Sequence, residues 1–254
     1  MSSGIIYSDG TYISSNPSLH AEDSAYKMSY VVKLLEKVSL NRSQINILDI
    51  GGGAGLLGKF VCEWFVNRGY TVSAHALDLS EEMLELQKTN NPHIEKTFIG
   101  DIAQLGEEVF DLVLMIDVIE HIENCEQFAH NLNKYTKYII YNIPIEINFF
   151  DSLRNIAMRN RYYQIQTESL GHIHFFSSQT AALFVKHHHK VIKKFFAGYA
   201  SHFLLSSYPD YICQRKKLIR KIELIISDLL QKIMPFIARY CVQGSLFVLA
   251  QSKQ

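Results

Sequence analysis

The sequence predicts an α/β protein whose mostly parallel sheet is covered by helices on both faces. Three observations lead to this prediction. From Ile45 onward, short apolar runs alternate with amphipathic stretches. The runs are apolar at nearly every position, as in strands that are buried on both sides. A glycine-rich turn joins the first run to the first amphipathic stretch. Strands that alternate with helices form parallel sheets with right-handed crossovers.

Residues 1–44 form the first predicted unit, an arm followed by a cap helix. The chain is rich in Ser and Gly as far as Asn16 and Pro17, which is typical of a loop. A helical pattern follows, with apolar residues on one face at Val31, Leu34, Leu35 and Val38. The polar residues from Asn41 onward end this pattern.

Residues 45–254 form the second predicted unit and carry the alternating pattern. Its first five predicted strands cover residues 45–50, 72–77, 96–99, 110–116 and 138–142. Residues 56–65 are predicted to be helical, with Leu57, Phe60, Val61 and Trp64 facing inward. A second helix follows Ser80, which is a suitable N-cap residue ahead of Glu81 and Glu82.

The regular alternation stops after Pro144. Residues 146–170 show no clear period, a helix is predicted from about Ser178, and further strands are predicted near 191–196 and 245–250. Between these strands lies a long amphipathic region with apolar residues at helical spacing, namely Ile222, Ile225, Ile226, Leu229 and Ile233. We interpret residues 145–175 and 200–243 as insertions that form and cover an acceptor pocket. Core packing is the favoured role of the amphipathic region, and contact with a membrane surface is the alternative.

Composition limits the classes of partner. The chain has 254 residues, of which 48% are hydrophobic, so it can bury a substantial core. Lys and Arg total 25, as do Asp and Glu, and a chain without net charge is not a default binder of nucleic acid. The longest apolar stretch, residues 218–230, contains four charged residues and is not expected to span a membrane.

Two further features indicate where the protein resides. The first residues lack the basic start and apolar core of a signal peptide, so none is expected. No two cysteines form a Cys-x-x-Cys pair, which favours reduced thiols in a cytoplasmic protein; they are Cys62, Cys125, Cys213 and Cys241.

The glycine-rich turn is the strongest functional signal. It follows Asp49 at the end of the first strand and contains Gly51, Gly52, Gly53 and Gly55. Glycines allow a tight turn and close approach of a ligand to the backbone, and the following helix N-terminus favours a carboxylate such as that of a methionine moiety. A carboxylate at position 49 can accept from an ammonium group but would repel a pyrophosphate. A tight turn without a ligand is the alternative.

Acidic residues follow the next strands as well. Asp78 ends the second strand, where dinucleotide-binding folds place an acidic residue that accepts from ribose hydroxyls. Asp101 follows the third strand and can accept from the amine of adenine, while Ile102 can pack on the ring. Leu79 and Asp117 are predicted as further cofactor contacts. Capping of the adjacent helices and turns is the structural alternative for Asp78 and Asp101.

These elements, over residues 45–176, resemble the class I S-adenosylmethionine-dependent methyltransferases. The run Asp117-Val118-Ile119-Glu120-His121-Ile122 and the later His172-Ile173-His174-Phe175-Phe176-Ser177 are similar to elements of the ubiquinone-biosynthesis O-methyltransferase branch. The resemblance implies a Rossmann-like seven-stranded sheet with an antiparallel last strand. It also implies that Asp49 and the glycines hold the methionine part, Asp78 the ribose and Asp101 the adenine. Residues 16–27 resemble the entry segment of some bacterial members, and such segments can lie over the cofactor. The cap of a surface helix is the alternative.

The acceptor is expected to be a small molecule that is methylated on a hydroxyl oxygen. His121, His172 and His174 are the candidate catalytic bases. Glu120, His121 and His174 are the candidate metal ligands, because similar Glu/His sets in this branch and in small-RNA 2′-O-methyltransferases bind a divalent cation such as Mg²⁺. The alternative is that Glu120 and His121 only support the cofactor pocket and cap the following helix.

Other interpretations remain open. His187, His188 and His189 are consecutive in a predicted helix, so their side chains point about 100° apart and are not expected to converge on one ion. A solvated helix end is the favoured interpretation. Arg159 and Arg161 would suit an acidic or phosphorylated acceptor.

The chain could also bind the cofactor as a partner or regulatory protein without turnover. A nicotinamide oxidoreductase is disfavoured by the glycine spacing and by Asp49. A monomer and a homodimer are equally compatible with the sequence.

Overall fold

The computed structural model describes residues 21–253, and their fold is built on one twisted sheet. Its strands are β1 (Gln44–Ile50), β2 (Thr71–Asp78), β3 (Ile94–Ile99), β4 (Phe110–Ile116), β5 (Thr136–Ile145), β6 (His189–Gly198) and β7 (Gly244–Ser252). Within the described residues the sheet has seven strands in the order β3-β2-β1-β4-β5-β7-β6. The Rossmann-like α/β prediction is therefore confirmed. Strand β4 has the predicted bounds, and the other six strands extend beyond theirs.

The direction of the strands fixes where a ligand can bind. Strands β1 to β5 pair in parallel, whereas β7 is antiparallel to both β5 and β6. The antiparallel last strand that the resemblance implies is thus present. The strand order reverses between β1 and β4, and an open α/β sheet binds ligands beyond the carboxyl ends of its strands at such a point.

Helices cover both faces of the sheet. In the first half they are α1 (Ser24–Leu35), α2 (Leu56–Val66), α3 (Glu81–Asn90) and α4 (Cys125–Leu132). In the second half they are α5 (Phe149–Ala157), α6 (Tyr162–Leu170), α7 (Ser178–His188), α8 (Ala200–Leu205), α9 (Pro209–Lys216), α10 (Leu218–Ile233) and α11 (Pro235–Cys241). The aperiodic region after Pro144 therefore contains two helices, α5 and α6, which the sequence pattern did not reveal.

Two apolar clusters form the core, one on each face of the sheet. On one face, Val31 and Leu34 of α1 pack with Val61 and Phe65 of α2. On the other, α4 and α7 pack against the sheet through residues such as Leu132 and Val185. The inward face of α2 is shifted from the predicted one. Leu57, Val61 and Phe65 are buried, whereas Phe60 and Trp64 are only partly buried.

The ends of the predicted elements behave as capping rules suggest. Ser80 is the N-cap of α3, and its hydroxyl accepts from the amide of Met83 at 3.3 Å, as predicted. Helix α1 ends at Leu35, so Val38 lies beyond it and packs on the core from the following turn. The predicted arm, up to Pro17, lies outside the described residues, as do residues 16–20 of the segment 16–27 that resembles a segment of related enzymes.

The amphipathic region between β6 and β7 forms four helices, α8 to α11. The core-packing interpretation of its apolar stripe is wrong, because all five of the predicted stripe residues are exposed, between 41% and 73%. The side of α10 that faces the protein is formed by Leu224 and Ser227 instead. Among residues 21–253, none of the helices has both the length and the hydropathy needed to cross a bilayer.

Candidate active site

The glycine-rich turn connects β1 to α2 and has the backbone that its glycines allow. Gly51, Gly53 and Gly55 all have positive φ angles, of 61°, 55° and 77°. At Gly55 the fit is also tight, since a Cβ atom there would lie 2.8 Å from the Cα of Gln87 in α3. The turn therefore passes close to α3 and leaves its backbone uncovered by side chains of its own.

Asp49 lies beneath this turn near the end of β1. Asp49 is 6% exposed, and a Cβ atom on Gly52 would lie 2.5 Å from the Oδ2 atom of Asp49. Gly52 thus leaves the space that the carboxylate occupies. Burial, together with the nearby carboxylate of Asp78, raises the pKa of Asp49 to about 7. A cationic group that binds beside Asp49 would therefore stabilise the ionised form of its carboxylate.

Asp78 ends β2 and has local partners. Its Oδ1 accepts from the amide of Ser80 at 3.1 Å, and its Oδ2 accepts from Nε2 of Gln87 at the same distance. Burial raises its pKa, although these hydrogen bonds act in the opposite direction. The capping role weighed from the sequence is therefore present. Leu79, the next residue, is 48% exposed and offers an apolar surface at the same strand end.

The residues after β3 take up structural positions. Oδ1 of Asp101 accepts from the amide of Ala103 at 2.8 Å and so caps the turn formed by Ile102–Leu105. Ile102 is buried in the core with Leu105 and Phe98, and its side chain offers little open surface for a ring. Asp101 itself is exposed and keeps its second carboxylate oxygen toward solvent or a ligand.

Asp117 follows β4 in a left-handed backbone conformation, with φ of 54°. Its Oδ1 accepts from Nδ2 of Asn142 at 2.6 Å, and its Oδ2 accepts from Nζ of Lys27 at 2.5 Å. Lys27 is buried in α1. Burial alone would lower the pKa of Lys27, but the carboxylates of Asp117 and Asp23 raise it above the ordinary value. The sequence patterns did not single out Lys27, because its partner lies far along the chain.

Val118 joins the glycine-rich turn to the next group of polar residues. A Cβ atom on Gly51 would lie 3.0 Å from Cγ2 of Val118, so this side chain packs directly on the turn. The short helical turn Ile119–His121 follows immediately. Glu120 and His121 therefore lie close to the glycine-rich turn in space as well as at the same edge of the sheet.

Glu120 is fully buried and lacks the hydrogen bonds that such a group requires. Among the described residues, neither of its carboxylate oxygens has a hydrogen-bonding partner. Burial first, and the carboxylate of Asp117 second, raise its pKa well above the ordinary value. A buried polar group without a partner is costly and usually indicates a bound ion, a water molecule or a catalytic role.

His121 and His172 meet beside Glu120. Their ring centroids are 4.8 Å apart, and one ligand atom from each of the three residues lies within 4.8 Å of the others. Nδ1 of His121 lies 3.1 Å from the carbonyl of Gly171. Nδ1 of His172 lies 2.9 Å from Oε2 of Glu146, a residue that the sequence patterns did not single out. We call these four residues, Glu120, His121, Glu146 and His172, the His–Glu cluster.

His174 lies apart from this cluster. Its Nε2 donates to the carbonyl of Ile122 at 2.9 Å, and its amide donates to the carbonyl of Glu120 at 3.1 Å. His174 thus fastens the later loop to the turn after β4. The structure brings His172, rather than His174, to the side chains of Glu120 and His121.

A second group of potential metal ligands lies at the end of α7. Oε2 of Glu126 in α4 is 2.5 Å from Nε2 of His188, and His187 completes the group. His189 points elsewhere, with its Nε2 2.9 Å from the hydroxyl of Tyr141. The rings of His187 and His188 also contact each other, with centroids 4.8 Å apart. Only His189 points away, and the expected solvated helix end is wrong for His188 and His189, which are buried.

Comparison with known proteins identifies related families. Residues 20–189 match the family model described as a methyltransferase domain. A ubiquinone biosynthesis O-methyltransferase of Rickettsia conorii is 30% identical over 125 residues, which cover 47% of this chain and 42% of the relative. The corresponding protein of Rickettsia typhi is 30% identical over 109 residues, 41% of this chain and 43% of the relative. The matches span less than half of these curated relatives.

Solved structures share the fold. A Haemonchus contortus phosphoethanolamine N-methyltransferase 2, in complex with phosphomonomethylethanolamine and S-adenosylhomocysteine, gives a TM-score of 0.53 at 14% identity, covering 88% of this chain and 52% of that one. An S-adenosylmethionine-dependent methyltransferase from Archaeoglobus fulgidus gives a TM-score of 0.53 at 15% identity. This match covers 90% of this chain and 94% of that one. At these identities the comparisons establish the common architecture.

Proposed function

The chain belongs to the class I S-adenosylmethionine-dependent methyltransferases, and we propose that it transfers the methyl group of S-adenosylmethionine to a hydroxyl oxygen of a small molecule. The observation that carries the hydroxyl proposal is the pair formed by His172 and Glu146. A hydroxyl needs a base as it attacks, whereas an amine acceptor needs only to be presented in its neutral form.

The proposed cofactor site lies over the glycine-rich turn. Asp49 would accept from the ammonium of the methionine part, and the backbone of Gly51, Gly52, Gly53 and Gly55 would accommodate the cofactor closely. Asp78 and Leu79 would contact the ribose and adenosine, with the exposed carboxylate of Asp101 toward the adenine. Asp117 would act indirectly, because both of its carboxylate oxygens already accept hydrogen bonds.

The proposed reaction uses His172 as the base and Glu146 as the residue that positions it. The Nδ1–H of His172 donates to Glu146, which leaves Nε2 free to accept the proton of the acceptor hydroxyl. The hydroxyl oxygen forms a bond to the methyl carbon while the carbon–sulfur bond breaks. Its electron pair remains on sulfur, so the sulfonium becomes the thioether of S-adenosylhomocysteine. Alignment of the oxygen with the methyl–sulfur bond is the main contribution of the protein.

The test uses tritiated methyl donor and a panel of small acceptors. Catechols and dihydroxybenzoates are compared with primary amines, and labelled products are separated by chromatography. The proposal predicts O-methylated products, and predicts that His172→Ala lowers kcat at least 100-fold while binding of S-adenosylhomocysteine is retained. His174→Ala is the matched control, since this side chain bonds to a backbone carbonyl outside the cluster. Labelled amines without labelled ethers would refute the hydroxyl proposal.

A second candidate mechanism uses a divalent cation, and the donor set fits one. Glu120 offers two buried oxygens that have no hydrogen-bonding partner among the described residues, and His121 and His172 supply nitrogens within reach of the same point. A mixed set of oxygen and nitrogen donors suits Mn²⁺ or Zn²⁺ better than Mg²⁺. When bound, such an ion would lower the pKa of a coordinated hydroxyl. The protein's own contribution would be to hold the ion in a buried, ordered position.

Chelation separates the two mechanisms. If His172 acts as the base, dialysis against EDTA leaves kcat unchanged. If the cluster holds a cation, EDTA abolishes activity, Mn²⁺ restores it, and titrated Mn²⁺ gives a binding isotherm that Glu120→Gln removes. Both results are compatible with hydroxyl methylation, which the product analysis tests separately.

The remaining proposals concern the acceptor pocket and the cellular compartment of the enzyme. Residues 145–175 contain Glu146 and His172, which supports their assignment as an acceptor-site insertion. Arg159 and Arg161 are exposed at the turn between α5 and α6, where they could meet an acidic acceptor. If they do, Arg159→Ala and Arg161→Ala raise the acceptor KM without changing the affinity for the cofactor. We also propose a cytoplasmic location, because the scattered cysteines of the sequence favour reduced thiols.

A further inference from the structure

Helix α10 carries an apolar stripe that the rest of the described protein leaves uncovered. The stripe comprises Ile219, Ile222, Ile226, Leu229 and Ile233, which follow one another at intervals of three or four residues. Ile219 is 84% exposed and Ile233 is 73% exposed. Residues at these intervals lie on one side of a helix, and the helix of 16 residues is about 24 Å long. A continuous apolar surface of this length is typical of a contact with a partner or a membrane.

The apolar surface continues beyond α10. Phe236 and Ile237 in α11 are exposed, and so is Leu205 at the end of α8. A second apolar stripe lies on α5, where Phe149, Leu153 and Ile156 are each more than half exposed. Arg154 links the two regions, because its Nη2 lies 2.6 and 2.8 Å from the two carboxylate oxygens of Glu223 in α10. The exposed apolar residues therefore belong to two insertions that are tied together at the carboxyl edge of the sheet.

The charges beside this surface are basic. Between residues 211 and 241, every exposed charged side chain is a lysine; these are Lys216, Lys217, Lys221 and Lys232. The acidic residues of the same stretch are turned inward and paired. Glu223 binds Arg154 and Arg220, and Asp228 binds Ser201 and Lys232. On a helix, Lys221 and Lys232 fall on the same margin of the apolar stripe, three turns apart.

We propose that the α10 stripe docks on the surface of an anionic lipid bilayer. An apolar face with a lysine margin matches such a surface, because the apolar side chains enter the acyl region while the lysines extend to the headgroups. A second copy of the chain fits less well. A two-fold interface would bring together two copies of the same basic region, and like charges gathered at an interface are unfavourable. The proposal does not depend on the methyl-transfer reaction.

Flotation of the full-length protein with vesicles tests the proposal. The protein is expected to float with vesicles of phosphatidylcholine and phosphatidylglycerol, to float less with phosphatidylcholine alone, and to be released in part by high salt. Ile219→Ser/Ile233→Ser should weaken binding to the anionic vesicles at least tenfold. The control pair is Leu183→Ser/Val109→Ser, because these residues are similarly exposed, at 62% and 61%, outside α10.

A second pair of variants tests the charges. Lys217→Gln/Lys221→Gln should weaken binding at least tenfold, since each lysine near an anionic surface contributes about fivefold. Lys37→Gln/Lys190→Gln removes the same net charge at exposed positions elsewhere and should leave flotation unchanged. Absence of flotation, or equal loss in the control pairs, would overturn the proposal. So would a change of sedimenting mass in Ile219→Ser/Ile233→Ser without lipid, which would assign the stripe to a second copy.

Discussion

The ammonium of Lys27 lies 2.5 Å from Oδ2 of Asp117, and 90 positions of sequence separate the two residues. Asn142 donates to the other oxygen of the same carboxylate. Helix α1, the end of β4 and strand β5 therefore meet at one charged group. This arrangement holds the left-handed backbone of Asp117, and with it the turn that leads to Glu120 and His121.

Replacement of Lys27 by Met should destabilise the protein by about 3 kcal/mol, because it leaves a largely buried carboxylate without its cation. Urea denaturation monitored by circular dichroism measures this change in the free energy of unfolding. Lys59→Met is the matched control, since Lys59 forms only an exposed pair with Glu63 at 3.9 Å. Such pairs contribute under about 1 kcal/mol. Equal losses in the two variants would mean that the Lys27 pair has no special structural role.

The affinity for S-adenosylhomocysteine should rise with pH up to about 7. Burial and the carboxylate of Asp78 raise the pKa of Asp49 to about 7, so below this pH the group is mostly neutral in the free protein. The ammonium of the ligand favours the ionised form, and binding must therefore displace a proton. Calorimetry between pH 5.5 and 8.5 should show affinity falling by up to tenfold per pH unit below about pH 7.

The same raised pKa has a consequence for stability. Because the folded state holds the proton of Asp49 more tightly than the unfolded state, its contribution to stability is complete below the unfolded pKa. That contribution is lost as the pH rises through about 7. Asp49→Asn should remove both this loss and the pH dependence of ligand affinity. A variant that keeps the wild-type pH profile would assign the titration to another group.

Gly52 should be intolerant of a side chain because of Asp49. A Cβ atom at this position would lie 2.5 Å from the carboxylate and would displace it, so Gly52→Ala is expected to weaken S-adenosylhomocysteine binding at least tenfold. Gly69→Ala is the comparison, because a Cβ atom there meets no heavy atom within 4 Å although φ is 82°. That variant should lose about 1 kcal/mol of stability from backbone strain and retain its affinity. Unchanged binding in Gly52→Ala would place the ligand away from Asp49.

Glu120 should tolerate loss of its charge. Burial and the carboxylate of Asp117 raise its pKa, so its neutral form is favoured relative to that of an ordinary glutamate. Glu120→Gln is therefore expected to unfold at the same or higher denaturant concentration than the wild type. Glu146→Gln, which weakens the partner of His172, should instead lower kcat at least tenfold. A large loss of stability in Glu120→Gln would indicate that its ionised form supports the fold.

The sheet could be predicted because strands buried on both faces leave near-continuous apolar runs, which local sequence records directly. The glycine-rich turn was predictable because positive φ angles, such as those of Gly51 and Gly55, strongly favour glycine and so leave a local signature in the sequence. The helices α5 and α6 were missed because their apolar residues do not face the core. Phe149 and Ile156, for example, are exposed, so the usual inward-facing period is absent.

The long-range partners were beyond sequence reasoning. Glu146 follows β5, and only the fold brings it to His172, 26 residues later. Lys27 lies four residues before Val31, on the inward face of its helix, but its partner follows a strand 90 residues away and cannot be identified from local sequence. The helical spacing of the apolar residues in α10 is visible in the sequence, but periodicity does not reveal whether the protein itself or another molecule covers an apolar face.

The most direct test of the account is calorimetric titration of the purified protein with S-adenosylhomocysteine, with NAD as the comparison ligand. We expect saturable one-to-one binding of S-adenosylhomocysteine, no heat of binding for NAD, and at least a tenfold weaker affinity in Asp49→Asn. Absence of binding by the folded wild-type protein, or unaltered affinity in Asp49→Asn, would contradict the proposed role of the glycine-rich turn.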